Sequence, residues 1–594
     1  MGRKKKIVEE VVLKPSHYQE AIYDFVQHDV GNLVVEAAAG AGKTSTLLNI
    51  LKLLPSDKKV LFCAFNKDIV KEITKKVPKD ITNVDIRTVH SLGFLMIQRN
   101  LKNVNVVPNE NKYRTFIFNN LDEISMFDTK MLKYRDRIKY IDNICNLVDF
   151  SRFYLVNSEK EIDKLVDRYD IDVIADEVEA TIKVLEWGKT YIEEIDFTDM
   201  IWLPHVLDLK PIGLLFDYIL GDECQDFSIA QRELLLRCKK INTRMFFFGD
   251  KNQAIYSFAS ADPKSFDVLK SLPNTRSLPL SISYRCAKNI VRFAQNIVET
   301  IEHNEANSNE GEIKYNVQLE EIEDGDMVLC RNNAPLMKLY NDFIRLGKKC
   351  QIKGKDIGLN LKRLVKSMKQ EELNVSLEKD GLFVRLYDSL FEMRNKILKQ
   401  SGLDVKSVMN DSKITSRLDM IKALEVLSEG LKTSDELIEK ISSMFSDKKI
   451  NGISLSTIHK AKGLEANNVY IVCPSLIPCK SATLDWELEQ ERNLQYVAYT
   501  RAKNKLGFID ETDFKNFTDN TSEALKIIEI QVNRILGKET EKIISGNSFS
   551  KHILSRTKNI IIPTKGTSKV LSSENNKKSI TNSLLTKNNR KKKI

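Results

Sequence analysis

The sequence predicts an α/β protein with two parallel-sheet cores, each carrying a mainly helical insertion. Three observations carry this. Near the N-terminus a short apolar strand, a small-residue loop, a helix and a second strand follow in the order of a βαβ unit. Apolar runs of strand length recur at Tyr218–Gly221, Met245–Gly249, Met327–Arg331, Val469–Cys473 and Leu506–Ile509, the pattern of strands buried on both faces. Between them lie two charged, Leu-containing stretches of helical character, 98–194 and 360–449, with few turn breakers.

Taken in order, Lys14 to His28 reads as a helix: Ser16 is a good N-cap, and Gln19 stands at the capping-box spacing. Leu33–Ala37 reads as a strand, Thr44–Leu54 as a helix, Lys59–Phe65 as a strand and Lys67–Lys76 as a helix. The first core is expected over 1–97 and 195–276, with 98–194 as its insertion. The second is expected over 277–359 and 450–515, with 360–449 as a smaller insertion. A C-terminal helical segment is expected over 516–547 and a disordered tail over 548–594.

The 594 residues carry a formal net charge of +10. Residues 548–594 hold twelve Lys and Arg against one Glu, so the basic character belongs to the tail and the rest is near neutral. Such a tail suits contact with nucleic acid or a recruiting protein. The nine cysteines are scattered, odd in number and free of C-x-x-C pairs, which argues against a disulfide framework and for a reducing compartment. No apolar run approaches the roughly 20 residues that span a bilayer, and the start, MGRKKKIVEE, lacks the apolar segment of a secretory signal. A cytoplasmic protein without a membrane partner is expected, or a nuclear one in a eukaryotic host.

The stretch VVEAAAGAGKTST (34–46) sets a phosphate-binding loop at a strand-to-helix junction. Gly40 and Gly42 let the loop fold back, Lys43 offers a charge to the β and γ phosphates, and Thr44 offers a hydroxyl to Mg²⁺. Ala39, Ala41 and Ser45 complete the loop. Ala37 stands where such loops usually have glycine. FDYILGDECQD then supplies Asp222 for the metal and Glu223 to orient or deprotonate water, although an acidic turn capping the helix near Ser228 is the plainer reading of that pair alone. FFFGDKNQAIYSF repeats the logic: Gln253 is placed to meet a γ-phosphate, while Tyr256 and Phe258 are either base-stacking groups or core aromatics.

These strings occur together in a fixed order, and the chain resembles the UvrD/Rep-type superfamily 1 DNA helicases over most of Pro15 to Asp510. The resemblance rests on SHYQEAI, AAAGAGKTS, CAFNKDIV, TVHSLG, DFTDM, GDECQD, GDKNQAIYSF, SISYRCA, STIHKAKGLE and YVAYTRAK. It implies two RecA-like cores with ATP and Mg²⁺ in the cleft between them. Lys43, Glu223, Gln253, Arg285 and Arg501 would then be catalytic, with both arginines reaching across from the second core to the γ-phosphate. Guanidinium suits that task, being permanently charged and able to grip two oxygens. Gln19 would read adenine, Tyr284 would stack on it, and Gly463 and Glu465 would approach the ribose or phosphates. Phe65, Asn66, His90, Tyr256, Phe258, Thr457 and His459 match positions that line the single-strand track, where stacking tolerates any base.

The chain departs from the family pattern at Ser45, where a stacking arginine is common, and at Ala259-Ser260-Ala261, where aromatic-R-G-A is usual. The expected function is an ATP-dependent helicase translocating on single-stranded DNA, with 3′→5′ polarity implied by the resemblance, and acting on partly duplex DNA. A translocase that strips bound proteins without extensive unwinding is the alternative.

Overall fold

The structure, a computed structural model, describes residues 14–518 apart from 65, 102–105, 132–133, 170–172, 174, 257–260, 263, 374–380, 402–407 and 446–450. Phe65, Phe258, most of the expected segment 516–547 and the basic tail lie outside the described residues.

Sixteen strands are described. The first eight are β1 (Asn32–Ala37), β2 (Val60–Ala64), β3 (Val84–Thr88), β4 (Val107–Pro108), β5 (Glu194–Ile195), β6 (Phe216–Gly221), β7 (Lys239–Gly249) and β8 (Thr275–Leu280). The others are β9 (Ile282–Ser283), β10 (Glu302–His303), β11 (Glu312–Val317), β12 (Met327–Cys330), β13 (Cys350–Ile352), β14 (Ile453–Thr457), β15 (Ala466–Ile471) and β16 (Ala502–Ile509). Two six-stranded sheets form, in the orders β3-β2-β6-β7-β1-β8 and β11-β16-β15-β12-β14-β13, and every pairing is parallel. This is the α/β class the sequence predicts, with two parallel-sheet cores.

Alternation along the central strands divides the interior. Leu33 and Val35 of β1, Val60 and Phe62 of β2, and Phe246 and Phe248 of β7 enter one apolar cluster. That cluster continues into the second sheet through Met327, Leu329, Val469 and Leu506. Val34, Leu61, Met245 and Phe247 point the other way, into a cluster with Tyr113, Ile117, Ile144 and Leu147 of the first helical insertion. Because successive side chains leave a strand on opposite faces, one run of apolar residues serves both cores.

The helix His17–His28 begins where the capping box predicts: Ser16 N–H donates to Gln19 Oε1 at 3.0 Å, and Gln19 N–H donates to Ser16 Oγ at 3.3 Å. The expected junction after residue 276 is corrected by the pairing of β8, whose residues Thr275–Leu280 run beside Asn32–Ala37 in the first sheet. Arg276 and Pro279 disguise it as a loop; an edge position tolerates a proline that a central strand would reject. The helical stretches are realised as Lys112–Asn119, Tyr134–Tyr154, Glu159–Tyr169 and Ala175–Thr190 in the first, and Leu382–Ser401, Ser412–Leu427 and Ser434–Met444 in the second. No helix among the described residues is long and apolar enough to cross a membrane.

The first insertion is tied to its sheet by buried charge. Arg152 Nη1 lies 2.8 Å from Asp196 and 2.9 Å from Asp199, Lys112 Nζ reaches Asp199 at 2.8 Å, and the Tyr113 hydroxyl donates to the same carboxylate at 2.6 Å. Asp199 and Lys112 are fully shielded from water. We predict that Asp199→Ala, which leaves the buried Lys112 ammonium without its carboxylate beside the Arg152–Asp196 pair, lowers stability by about 3–5 kcal/mol, read as a lower urea midpoint.

Candidate nucleotide and nucleic-acid site

The loop between β1 and the helix Lys43–Leu53 lies at the carboxyl end of the first sheet. Gly40 and Gly42 have φ of +72° and +82°. A Cβ on Gly40 would fall 2.5 Å from Arg285 Cβ, so glycine is needed there for conformation and for space. Ala37 is the last residue of β1, buried and paired with Leu280, and it has no positive φ. Alanine therefore satisfies the leading position of this loop.

Charge gathers at the ends of β6 and β7. Lys43 Nζ stands 3.3 Å from Glu223 Oε1. Burial pushes the Asp222 carboxyl up, with Glu223 adding to the effect, while Thr44 hydrogen-bonds it and opposes. Burial acts on Glu223 in the same sense, but Lys43 and Lys462 outweigh it and hold that carboxyl well below its usual range. Of two adjacent acids, Glu223 thus holds its charge the more firmly, and it sits on a left-handed backbone, φ +53°. Gln225 bridges the two strand ends: its Nε2 donates to Glu223 at 2.6 Å and its Oε1 accepts from Asp250 N–H at 3.0 Å. Asp250 in turn accepts from Gln253 Nε2 at 2.7 Å.

The second sheet closes this cluster from the other side. Arg501 is fully buried; its Nη2 donates to Gln253 Oε1 at 3.1 Å, its Nη1 to the Leu464 carbonyl at 3.1 Å and its Nε to the Val497 carbonyl at 3.0 Å. Arg285 donates to Glu465 at 2.7 Å and to the Thr500 carbonyl at 3.2 Å. Arg285 lies two residues after β9, where the chain passes from beside the phosphate loop into the helix Lys288–Ala294, and its neighbours Cys286 and Ala287 hydrogen-bond to Thr500 and Lys503 of the second core. Glu465 is also paired with Lys503 at 2.6 Å. Gly463, φ +83°, turns the chain between these groups. Gln19 Nε2 donates to Thr46 at 3.0 Å and its Oε1 accepts from the Tyr284 hydroxyl at 3.5 Å, while Ser45 is exposed.

Three residues that sequence reasoning left unassigned join the two sides. The Tyr496 hydroxyl accepts from Ala39 N–H at 2.9 Å. Asn493 Nδ2 donates to the carbonyls of Lys251 and Ala254 at 3.3 and 3.1 Å. Lys462 Nζ reaches Asp226 at 2.5 Å and the Gln253 carbonyl at 2.6 Å. Asn493, Tyr496 and Thr500 fall three and four apart on the helix Asp485–Tyr499 and its cap, a one-faced polar spacing that the sequence does display.

The nucleic-acid candidates are more dispersed. Asn66 is exposed, and its Oδ1 accepts from Ile69 N–H at 2.9 Å at the start of a helix. His90 stacks on Phe197 with ring centroids 3.8 Å apart. The Tyr256 hydroxyl donates to the His459 carbonyl at 2.9 Å, and Lys462 lies over its ring. Thr457 ends β14 and is buried. His459 borders a cavity of about 710 Å³ between the second core and the two insertions, together with Arg331, Asn333, Phe150 and Trp486. The structure does not gather the described candidates at one point.

Burial holds the His90 imidazole down at about 4 against the ordinary 6.5. A histidine kept neutral in the fold contributes stability that is complete above about pH 6.5 and lost as pH falls toward 4, because the unfolded chain takes the proton first. We predict that the melting temperature of His90→Phe falls less steeply than wild type from pH 6.5 to 4.5, measured by thermal denaturation in matched buffers.

Comparison with known proteins agrees with this geometry. Residues 19–273 match the UvrD/REP helicase N-terminal domain and residues 360–513 the UvrD-like helicase C-terminal domain. Similar proteins include the F-box DNA helicase protein 1 of Schizosaccharomyces pombe, 24% identical over 80% of this chain and 55% of the relative. Others are the ATP-dependent DNA helicase Rep of Buchnera aphidicola, 22% identical over 80% and 91%, and the ATP-dependent DNA helicase PcrA of Staphylococcus epidermidis, 22% identical over 81% and 82%. With both domain models matched in order, and the phosphate loop, the acidic pair and the two arginines converging between two parallel sheets, the chain belongs to the UvrD/Rep family of helicase-related proteins.

Proposed function

We propose that this protein is an ATP-driven DNA helicase that moves 3′→5′ along single-stranded DNA and opens duplex ahead of it. The observation that carries the proposal is the Arg501–Gln253–Asp250 chain, which brings a buried cation of one sheet to the phosphate side of the other. Lys43, released from Glu223, meets the β and γ phosphates. Glu223, ionised by its cationic neighbours, orients water and takes its proton. Gln253 relays the position of the γ-phosphate to Arg501, and Arg285 leaves Glu465 to add a second positive charge as the cleft closes. Thr44 and Asp222, a hydroxyl and a carboxylate in hydrogen-bond contact, would hold Mg²⁺, which when bound supplies charge to the phosphate oxygens. Gln19 and Tyr284 receive the adenine, and Gly463 and Glu465 border the ribose. His90, Tyr256, Thr457 and His459, with Asn66 and the aromatics Phe65 and Phe258, border the single strand, and the basic tail raises the local concentration of DNA.

Lys43→Ala is expected to abolish hydrolysis stimulated by single-stranded DNA, and Arg501→Ala to lower kcat by about 10³-fold. Wild-type turnover in either variant, followed by phosphate release, would refute the site. Duplexes with a single 3′ or 5′ overhang test polarity: unwinding confined to 5′ overhangs sinks the assignment.

A further inference from the structure

A closed circuit of hydrogen bonds grips the phosphate loop from two sides. On one side Tyr284 N–H donates to the Gly40 carbonyl at 2.9 Å. The next residue, Arg285, donates through Nη1 to the Thr500 carbonyl at 3.2 Å. The Thr500 hydroxyl donates to the Tyr496 carbonyl at 2.8 Å, one turn back on the helix Asp485–Tyr499. The Tyr496 hydroxyl accepts from Ala39 N–H at 2.9 Å, which returns the circuit to the loop one residue before Gly40.

The dipeptide Ala39-Gly40 is therefore held at both ends, by the N–H of one residue and the carbonyl of the next. It cannot turn without breaking a bond. Ala39 and Tyr496 are both wholly buried, so water does not stand in for the tyrosine hydroxyl. A buried N–H that loses its acceptor bears the full cost of its desolvation.

The same helix places the arginine. Arg501, two residues beyond its end, donates through Nε to the Val497 carbonyl at 3.0 Å, and through Nη2 to the Thr500 hydroxyl at 3.3 Å and to Gln253 at 3.1 Å. Asn493, three residues before Tyr496, holds the Lys251 and Ala254 carbonyls on either side of Gln253. One helix thus refers the loop, Gln253 and Arg501 to a common frame.

We propose that Tyr496 is a positioning residue for hydrolysis: its hydroxyl aligns the phosphate loop with Arg501, so that the γ-phosphate and the guanidinium meet in a single arrangement. The proposal rests on the reading of the loop as the triphosphate site. The Tyr496–Ala39 bond spans the two sheets and forms only when they are together. Its contribution therefore falls on the closed, reacting state and not on nucleotide capture, which places it in kcat and not in KM.

The test uses the full chain with single-stranded DNA and measures ATP turnover in wild type, Tyr496→Phe, Arg501→Lys and the double variant. Phenylalanine keeps the aromatic packing and removes only the hydroxyl. Tyr496→Phe is expected to lower kcat roughly tenfold, the scale of one buried hydrogen bond, with KM for ATP and Kd for ADP within about twofold of wild type. Because Tyr496 acts through Arg501, the double variant should be within about twofold of Arg501→Lys alone. Thr500→Val breaks the circuit one link away and should show the same split, which keeps the test available if Tyr496→Phe does not fold. Unchanged kcat in the folded variants overturns the proposal. So does a full further loss in the double variant, which would mark a role independent of Arg501. Weakened ADP binding that matches the loss of kcat also overturns it, by marking damage to the loop itself. Lys43→Ala measured in parallel separates the two ideas: retained turnover there defeats the triphosphate site, whereas lost turnover there with wild-type kcat in Tyr496→Phe defeats only the positioning role.

Discussion

A buried guanidinium sets the terms for the rest of the molecule. Arg501 is 1% exposed, and its described hydrogen bonds go to neutral oxygens: two backbone carbonyls, the Thr500 hydroxyl and the Gln253 amide. Burial lowers its proton affinity and Arg285 lowers it further, yet a guanidinium stays charged. Carbonyl dipoles offset only part of the lost hydration. The cation is therefore held ready for an anion, and the contacts that hold it also hold the two sheets in register. Asn493, Tyr496 and Lys462 contribute to the same junction by reaching groups at the ends of β1, β6 and β7.

Opposite Arg501 stands an acidic group arranged with equal economy. Asp222 and Glu223 are neighbours in sequence but are shifted in opposite directions, because Lys43, Lys462 and the Gln225 amide together outweigh the effect of burial on Glu223. The left-handed backbone at Glu223 turns its carboxylate toward those cations. Gln225 then fixes the end of β6 to that of β7, so displacement of either strand end moves Glu223, Asp250 and Gln253 together. A motor needs such joint movement, since closure must bring all charged groups to the phosphates together.

Much of this was legible in the residues, for physical reasons. The capping box at Ser16 and Gln19, the strand at Leu33–Ala37 and the glycines of the loop depend on near neighbours, and near neighbours are what a sequence displays. The strand at Thr275–Leu280 was hidden because its edge position tolerates Arg276 and Pro279. Tyr496 falls within YVAYTRAK, but its partner Ala39 is 457 residues away, and no local pattern announces that contact. The Arg152, Lys112 and Asp199 lattice is hidden for the same reason: each charge looks solvated until the fold removes the water. His90 stands in TVHSLG, but its stacking on Phe197 is tertiary.

The alternation of β1, β2 and β7 uncouples the packing of their two faces. Leu33, Val35, Phe62 and Phe246 answer to the junction between the sheets, whereas Val34, Leu61 and Phe247 answer to the first insertion. A change of volume in the insertion is therefore taken up at every second residue of these strands, while the intervening side chains pack against the other cluster.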